Sequence, residues 1–462
     1  MTVAEATPNF EDADRNDRAF IGHPKGLGYL AFVEGCERFS YYSMQTLLTL
    51  YMVNYLLLPG RLETVTGLEW LQNSYYGGLQ GQQLSSAIFG DYTALVYLTP
   101  ILGGILADRV LGRRAALIAG ASIMALGHFL MAFEASFLFA LLALVVGVGL
   151  FKGNIASQVG ALYAENDLRR AMAFQIFYIA INVSVIIAPL VSGTLGEKVG
   201  WHWGFGAAGV VMVLGLIIYL AGQRWLPADN KPTAASRAAR EKLSRNDWTR
   251  VIALVMLIPA LAVALLTNQE IFNAYLVWAD QEFQLTFGGT TLPTSWMITI
   301  DAALSFSMLV AVAAFYTWYG KRHREPDELG KMIIGSVFTM AGGMCLYIAA
   351  LTQGDGKIGL FWPLMFHLLN SIGFSHILPV SLALFSKIAP RQINATVIGL
   401  YYLAFFAANK IVGKIGQLYS TMDTPTFWLL HVASAGVGLV AFVLFKWLVA
   451  DRMARAHEAV PA

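Results

Sequence analysis

Apolar runs separated by short polar connections recur along the whole chain, at residues 28–57, 84–107, 113–134, 137–163, 170–195, 202–223, 249–279, 292–319, 331–352, 360–387, 393–419 and 427–449. Each is near the ~20 residues a helix needs to cross the hydrocarbon core of a bilayer. The pattern predicts twelve membrane-spanning helices, hence an all-α polytopic membrane protein with both termini on one side. The connection at 224–248 is rich in Pro, Ala and charge and has no run of spanning length. It divides the chain into an N-terminal tail (1–27), a first six-helix bundle (28–223), this linker, a second six-helix bundle (249–449) and a C-terminal tail (450–462). Within the linker, Ala234–Leu243 has the composition of an interfacial helix. The glycines Gly147, Gly149 and Gly153, and the in-span prolines Pro100, Pro189, Pro259 and Pro379, fit close helix packing and kinking. Such residues are common in any membrane bundle.

Composition agrees with this class. Hydrophobic residues make up 57% of the chain and charged ones 13%, about half the charged fraction of a soluble domain. Charge placement orients the chain. Arg109, Arg113, Arg114, Arg169, Arg170, Lys321, Arg322, Arg324 and the basic linker residues fall on one side, against Arg61, Lys198 and Lys357 on the other. By the positive-inside rule the first side, with both termini, is cytoplasmic. The residues before Gly26 are polar and acidic and lack an apolar signal region, so they read as a cytoplasmic tail. Cys36 and Cys345 both lie in apolar segments, which supports neither a disulfide framework nor a cysteine metal site. No metal-ligand cluster, phosphate loop or nucleophile elbow is present to indicate an enzyme, and nothing points to nucleic acid.

Charge inside the spans is the most informative feature. Glu34, Glu37 and Arg38 lie at i, i+3 and i+4 within the first run, on one helix face that Tyr41 and Tyr42 extend by a turn. Ionisable groups near a bilayer centre cost roughly 2.5–3.5 kcal/mol each on insertion scales, so they persist by pairing or by facing a wet cavity. Two readings follow: a buried structural ion pair near a helix end, or a site for ions and solute.

Three groups of motifs carry a resemblance. The sequence Gly104-Ile105-Leu106-Ala107-Asp108-Arg109-Val110-Leu111-Gly112-Arg113-Arg114 between runs two and three resembles the signature loop of the major facilitator superfamily. Glu34-x-x-Glu37-Arg38-Phe39-x-Tyr41-Tyr42, Phe151-Lys152-Gly153-Asn154, and Phe174-x-x-Phe177-Tyr178-x-x-Ile181-Asn182 then resemble the proton-dependent oligopeptide transporter family. Gly200-Trp201-x-Trp203-Gly204-Phe205-Gly206 is also typical of that family. Gly153 stands where the family has proline, and Ser184 where it has glycine. The resemblance covers essentially the whole chain. It implies a twelve-helix major facilitator fold of two six-helix bundles, and proton-coupled symport of di- and tripeptides by alternating access in a bacterial cytoplasmic (inner) membrane. It implies no cofactor, since the proton gradient drives transport, and the expected form is a monomer.

A zwitterionic peptide needs cations for its carboxylate and an anionic or carbonyl-rich site for its ammonium. Arg38 and Lys152, the basic residues well inside the spans of the first half, are the natural carboxylate clamp. A lone buried lysine is also a natural counter-ion for Glu37, and the two roles can alternate as substrate arrives. Tyr42 and Tyr92 add phenolic donors and Asn182 an amide. Glu34 and Glu37 are the candidate proton carriers, because a carboxylate changes its proton affinity when a neighbouring cation is drawn away.

The second half departs from the family. Phe374 stands where span 10 has a glutamate that holds the substrate amine, in Gly373-Phe374-Ser375-His376-Ile377-Leu378-Pro379. Asp301 replaces an asparagine in span 8. In Asn268-Gln269-Glu270 the acid lies one residue out of register. Glu270 and Asp301 therefore join the proton-coupling candidates, and Asp301 and Phe374 the substrate-binding ones. Asp301 is expected to supply the charge that Phe374 lacks; Phe374 as packing, Asp301 as a helix-pairing residue and His376 as a satisfied polar group are the plainer alternatives. The altered amine pocket leaves another small anionic or zwitterionic solute, such as an amino acid derivative or nitrate, as the runner-up. A membrane-embedded sensor would require the coupling acids to be lost, and they are present.

Overall fold

The computed structural model describes residues 17–164, 167–227, 244–390 and 393–450. It is helical almost throughout. The long helices are α1 (Lys25–Tyr51), α2 (Gly81–Leu106), α3 (Arg113–Leu130), α4 (Phe137–Ala161), α5 (Arg169–Ala188), α6 (Trp201–Gly222), α7 (Arg245–Ala264), α8 (Trp296–Tyr319), α9 (Glu328–Thr352), α10 (Phe361–Ile388), α11 (Asn394–Tyr401 continued by Leu403–Ile415) and α12 (Thr424–Phe445). Every predicted span has its helix. Among the described residues, ten helices are apolar and long enough to cross a membrane on composition and length alone. The others are α1, which carries Lys25, Glu34, Glu37 and Arg38, and α3, which opens on Arg113 and Arg114 and holds His128.

Helix boundaries follow local chemistry. Ser244 and Asp247 form a capping box at the start of α7, with reciprocal bonds of 3.1 and 2.9 Å. Asp327 caps α9 through the Gly330 N–H at 3.0 Å, and Asp423 caps α12 through the Thr426 N–H at 2.9 Å. Arg114, from the loop with the superfamily signature, donates to the carbonyls of Gln223, Leu226 and Pro227, which satisfies backbone acceptors just past the end of α6. A hairpin pairs Thr286 with Thr291 and Phe287 with Thr290. Its turn residues Gly288 and Gly289 have φ of 56° and 80°, values that non-glycine residues rarely adopt.

The seventh and eleventh spans differ from the continuous helices predicted at 249–279 and 393–419. The seventh is three pieces: α7, then Leu266–Glu270, then Ala274–Glu282. The reason is visible at the second break. Asn273 leaves helical geometry at φ −117°, ψ −110°, and the Glu270 carboxylate accepts the Ala274 N–H at 3.2 Å, taking the place of a lost backbone acceptor. In the eleventh, Tyr402 separates the two segments and a 3₁₀ turn, Gly416–Ser420, follows.

Packing divides the chain into two compact units. The first comprises Met1–Leu47, Glu63–Leu68 and Leu98–Ala239; the second comprises Leu48–Leu62, Glu69–Tyr97 and Arg240–Ala462. Thus α1 and α2 each contribute residues to both. The predicted interfacial helix Ala234–Leu243 lies outside the described residues, as do most of the two tails.

Small residues set the tightest helix approaches, as expected where lipid offers no hydrophobic drive for association. In the first unit Gly103 of α2 lies against the Gly149 backbone of α4, and Gly120 of α3 against the Gly147 carbonyl. In the second, Gly90 of α2 faces the Gly413 backbone of α11, and a methyl there would sit 2.8 Å from the Asn409 carbonyl oxygen. Gly90→Ala is expected to destabilise by ~1–3 kcal/mol through overpacking. Gly104→Ala has open space around it and should be neutral by comparison. Thermal unfolding of the detergent-purified variants checks both. Elsewhere helices turn apolar faces outward: Val210, Leu214 and Ile217 are exposed at i, i+4 and i+7 on α6, the stripe expected of a lipid-facing helix.

Candidate functional site

In the first unit, α1 brings its three charged residues together as their spacing predicts. Glu34, Glu37 and Arg38 are 4%, 0% and 5% exposed, so the cluster is sealed from solvent in this structure. Arg38 forks onto Glu37, with Nε on Oε2 and a terminal nitrogen 2.5 Å from Oε1, and its Nε lies 3.3 Å from Glu34 Oε1. One guanidinium therefore serves two carboxylates. Glu34 Oε2 has no hydrogen-bond partner. The second cation is on α4: Lys152 Nζ lies 5.9 Å from the Tyr41 ring centroid, and the Arg38 guanidinium 4.9 Å from the same ring. Tyr41 thus lies within cation–π reach of both. Tyr42 is half-buried, with its ring 5.0 Å from that of Tyr41.

Asn182 is not drawn into this group. It donates to the Tyr178 carbonyl of its own helix at 2.8 Å. Ser184, on the same helix, lies beside Gly35: a methyl on Gly35 would be 3.2 Å from its hydroxyl, so α1 and α5 approach closely here despite the departure from glycine. Ser40 of α1 bonds His128 Nε2 of α3, a buried pair the sequence did not single out.

The second unit holds the remaining candidates, in two separate clusters. Asp301 on α8 is 7% exposed and accepts a 2.9 Å hydrogen bond from His367 Nδ1 of α10. The other ring nitrogen of His367 lies 2.7 Å from the Tyr275 hydroxyl, giving a buried carboxylate–imidazole–phenol chain. Glu270 is fully buried and pairs with His431 of α12 at 3.4 Å. Tyr92 is buried on α2, and Phe374 is half-buried on α10. His376 donates Nδ1–H to the Ile372 carbonyl at 2.8 Å, the satisfied polar group of the plainer reading. His367, His431 and Tyr275 were not singled out in the sequence. The available signal was that ionisable residues inside a span are functional candidates by default. Among the described residues, no group of three or more His, Cys, Asp or Glu has the arrangement of a metal site.

Helices of spanning length carrying buried, paired charges define a polytopic membrane transporter of the major facilitator fold. The sequence profile of the POT family matches residues 114–242 of the chain. The chain is 29% identical to the peptide transporter YePEPT of Yersinia enterocolitica, over 86% of this chain and 88% of that protein. It is 28% identical to the uncharacterized transporter YclF of Bacillus subtilis, over 93% and 96%. It also superimposes on a crystal structure of a peptide transporter POT in complex with sulfate with a TM-score of 0.82 at 27% identity, over 96% of this chain and 98% of that one.

Proposed function

We propose that this protein is a proton-coupled symporter of di- and tripeptides that works by alternating access in a bacterial cytoplasmic membrane. The observation that carries the reading is the buried Glu34–Glu37–Arg38 cluster with Lys152 near the same Tyr41 ring. Two acids and two cations gathered within span-length helices can exchange a proton and an anionic substrate against one another. Arg38 and Lys152 are the substrate-carboxylate clamp, with Tyr42 and Asn182 as further polar contacts. Glu34, Glu37 and Glu270 are the proton carriers. The relatives named as peptide transporters support the substrate class. The protein works as a monomer, with the proton gradient and no cofactor, and catalyses no chemical conversion. The basic residues of the connections support cytoplasmic termini. In proteoliposomes under an inward proton gradient, unlabelled di- and tripeptides should compete with a labelled dipeptide while free amino acids and nitrate do not. The opposite order of competition would overturn the peptide reading.

A specific observation favours the second reading, another small anionic or zwitterionic solute. One Asp301 oxygen is already engaged by His367, and Phe374 leaves its own position without an acid. A charge-assisted hydrogen bond to a substrate ammonium contributes on the order of 1.5–3 kcal/mol. If Asp301 holds the amine, Asp301→Asn weakens a free-amine dipeptide roughly 10–100-fold and leaves an N-acetylated analogue unchanged. Unchanged affinity for both would make Asp301 a partner of His367 alone and favour the second reading. Survival of counterflow with loss of gradient-driven uptake would instead make Asp301 a proton site.

A further inference from the structure

Glu270, at the break in the seventh span, and His431 of α12 meet face to face with both side chains fully buried. The hydrogen bonds around them fix which atoms face each other. His431 Nδ1 lies 2.9 Å from the Phe427 carbonyl oxygen. A carbonyl only accepts, so Nδ1 carries the hydrogen, and in a neutral ring Nε2 is then a bare lone pair. Glu270 Oε1 accepts from Asn273 Nδ2 at 2.9 Å and from the Ala274 N–H at 3.2 Å. The Asn273 amide is itself oriented by Ser86 Oγ, which donates to its oxygen at 2.9 Å. The carboxylate is thus pinned through Oε1, and Oε2 points at His431 Nε2, 3.4 Å away. Neither Oε2 nor Nε2 has any hydrogen-bond partner.

With a neutral imidazole and an ionised carboxylate, two lone pairs would face each other in a site closed to water. The rings of Phe427 and Trp428 lie 4.8 and 5.2 Å from that of His431. Such unsatisfied buried groups are costly. One additional proton removes the conflict, either on Nε2, giving an imidazolium beside a carboxylate, or on Oε2, giving an acid that donates to the imidazole. Both placements leave the pair neutral overall, the state a low-dielectric interior favours. The titratable groups on neighbouring elements are engaged elsewhere: Asp91 of α2 with Lys410 of α11, Asp301 of α8 with His367 of α10, His367 with Tyr275, and Tyr419 with Gln281.

We propose that Glu270 and His431 together form a proton-binding site, holding one proton in common between the broken seventh span and the last helix. The bound proton joins the segment Leu266–Glu270 to α12. Its release would set two lone pairs against each other beside the break at Asn273. The inference deepens the transport reading by naming the second partner of a coupling acid, but the proton itself is observable without any transport.

The test uses the full-length protein in lipid nanodiscs with isotope-labelled histidine near neutral pH, read by nitrogen NMR and infrared spectroscopy. The His431 signal is assigned by its loss in His431→Gln or, should that variant not fold, by removing the other histidines in turn. The expected result is either an imidazolium at His431, or a neutral ring whose Nε2 accepts a hydrogen bond together with a carboxylic-acid band that Glu270→Gln abolishes. If the proton is on the ring, Glu270→Gln should return it to the neutral form, because the amide N–H then supplies the donor. A neutral His431 beside an ionised Glu270, a ring protonated at Nε2 and bare at Nδ1, or an imidazolium that persists in Glu270→Gln would each overturn the shared proton. A protein that holds the proton yet moves no peptide would instead overturn the transport reading and leave this one standing.

Discussion

Glu37→Gln is expected to abolish accumulation of a dipeptide driven by a proton gradient while leaving peptide counterflow running. Glu37 is completely buried and takes both prongs of the Arg38 fork. Glu34 shares the same guanidinium from one turn away, and one of its oxygens is unpartnered. With one cation between two carboxylates, protonation of either acid frees Arg38 to hold the other more closely or to engage an incoming carboxylate. Breaking a buried ion pair by removing one partner typically costs ~3–5 kcal/mol, since it strands a charge. Glutamine keeps the shape and an acceptor oxygen for Arg38 but has no proton to release, so net proton movement stops. Counterflow exchanges substrate for substrate with no net proton transfer and should continue. Uptake and exchange of a labelled dipeptide in proteoliposomes, with and without a pH gradient, separate the two outcomes. Full gradient-driven uptake in Glu37→Gln would remove Glu37 from coupling.

Legibility in the sequence followed the range of the interactions. The spans could be read because ~20 apolar residues in a row are a local signal. The α1 cluster could be read because i, i+3 and i+4 place residues on one helix face whatever the rest of the fold does. The break in the seventh span was not legible. Asn268, Gln269 and Glu270 read as a disturbed motif on a continuous helix, whereas the turn at Asn273 is held by Ser86, far away in sequence. The same holds for the histidines: whether His367 or His431 is a packing residue or a partner of an acid depends on which helices face each other, and one chain's periodicity does not encode that. Asn182 shows the converse case. Its motif suggests a substrate contact, and in this structure its amide gives a hydrogen bond to a carbonyl one turn earlier, the habit of short polar side chains within helices.

Lys152→Ala should weaken binding of an ordinary dipeptide roughly 10–100-fold, and should also remove most of the difference between that peptide and its C-terminal amide. A charge-assisted hydrogen bond contributes on the order of 1.5–3 kcal/mol, and ~1.4 kcal/mol is tenfold in affinity. Lys152 and Arg38 come from different helices, α4 and α1, and both lie within cation–π reach of the Tyr41 ring. The planar Arg38 fork is fixed on Glu37 and also serves Glu34, whereas an ammonium on a four-carbon stem re-aims readily toward a new anion. In the parent protein, blocking the peptide carboxylate as an amide should therefore lose most of the binding. In Lys152→Ala the carboxylate has already lost that partner, so the same block should matter little. Lys152→Arg keeps the charge but replaces a compact ammonium with a wide planar fork, and should restore the distinction only in part. Affinities of the free and amidated peptide for parent and variants form a double-mutant cycle, whose interaction energy isolates the lysine–carboxylate contact from any general loosening of α4. Equal losses on amidation in parent and Lys152→Ala would show that the lysine serves the α1 acids rather than the substrate.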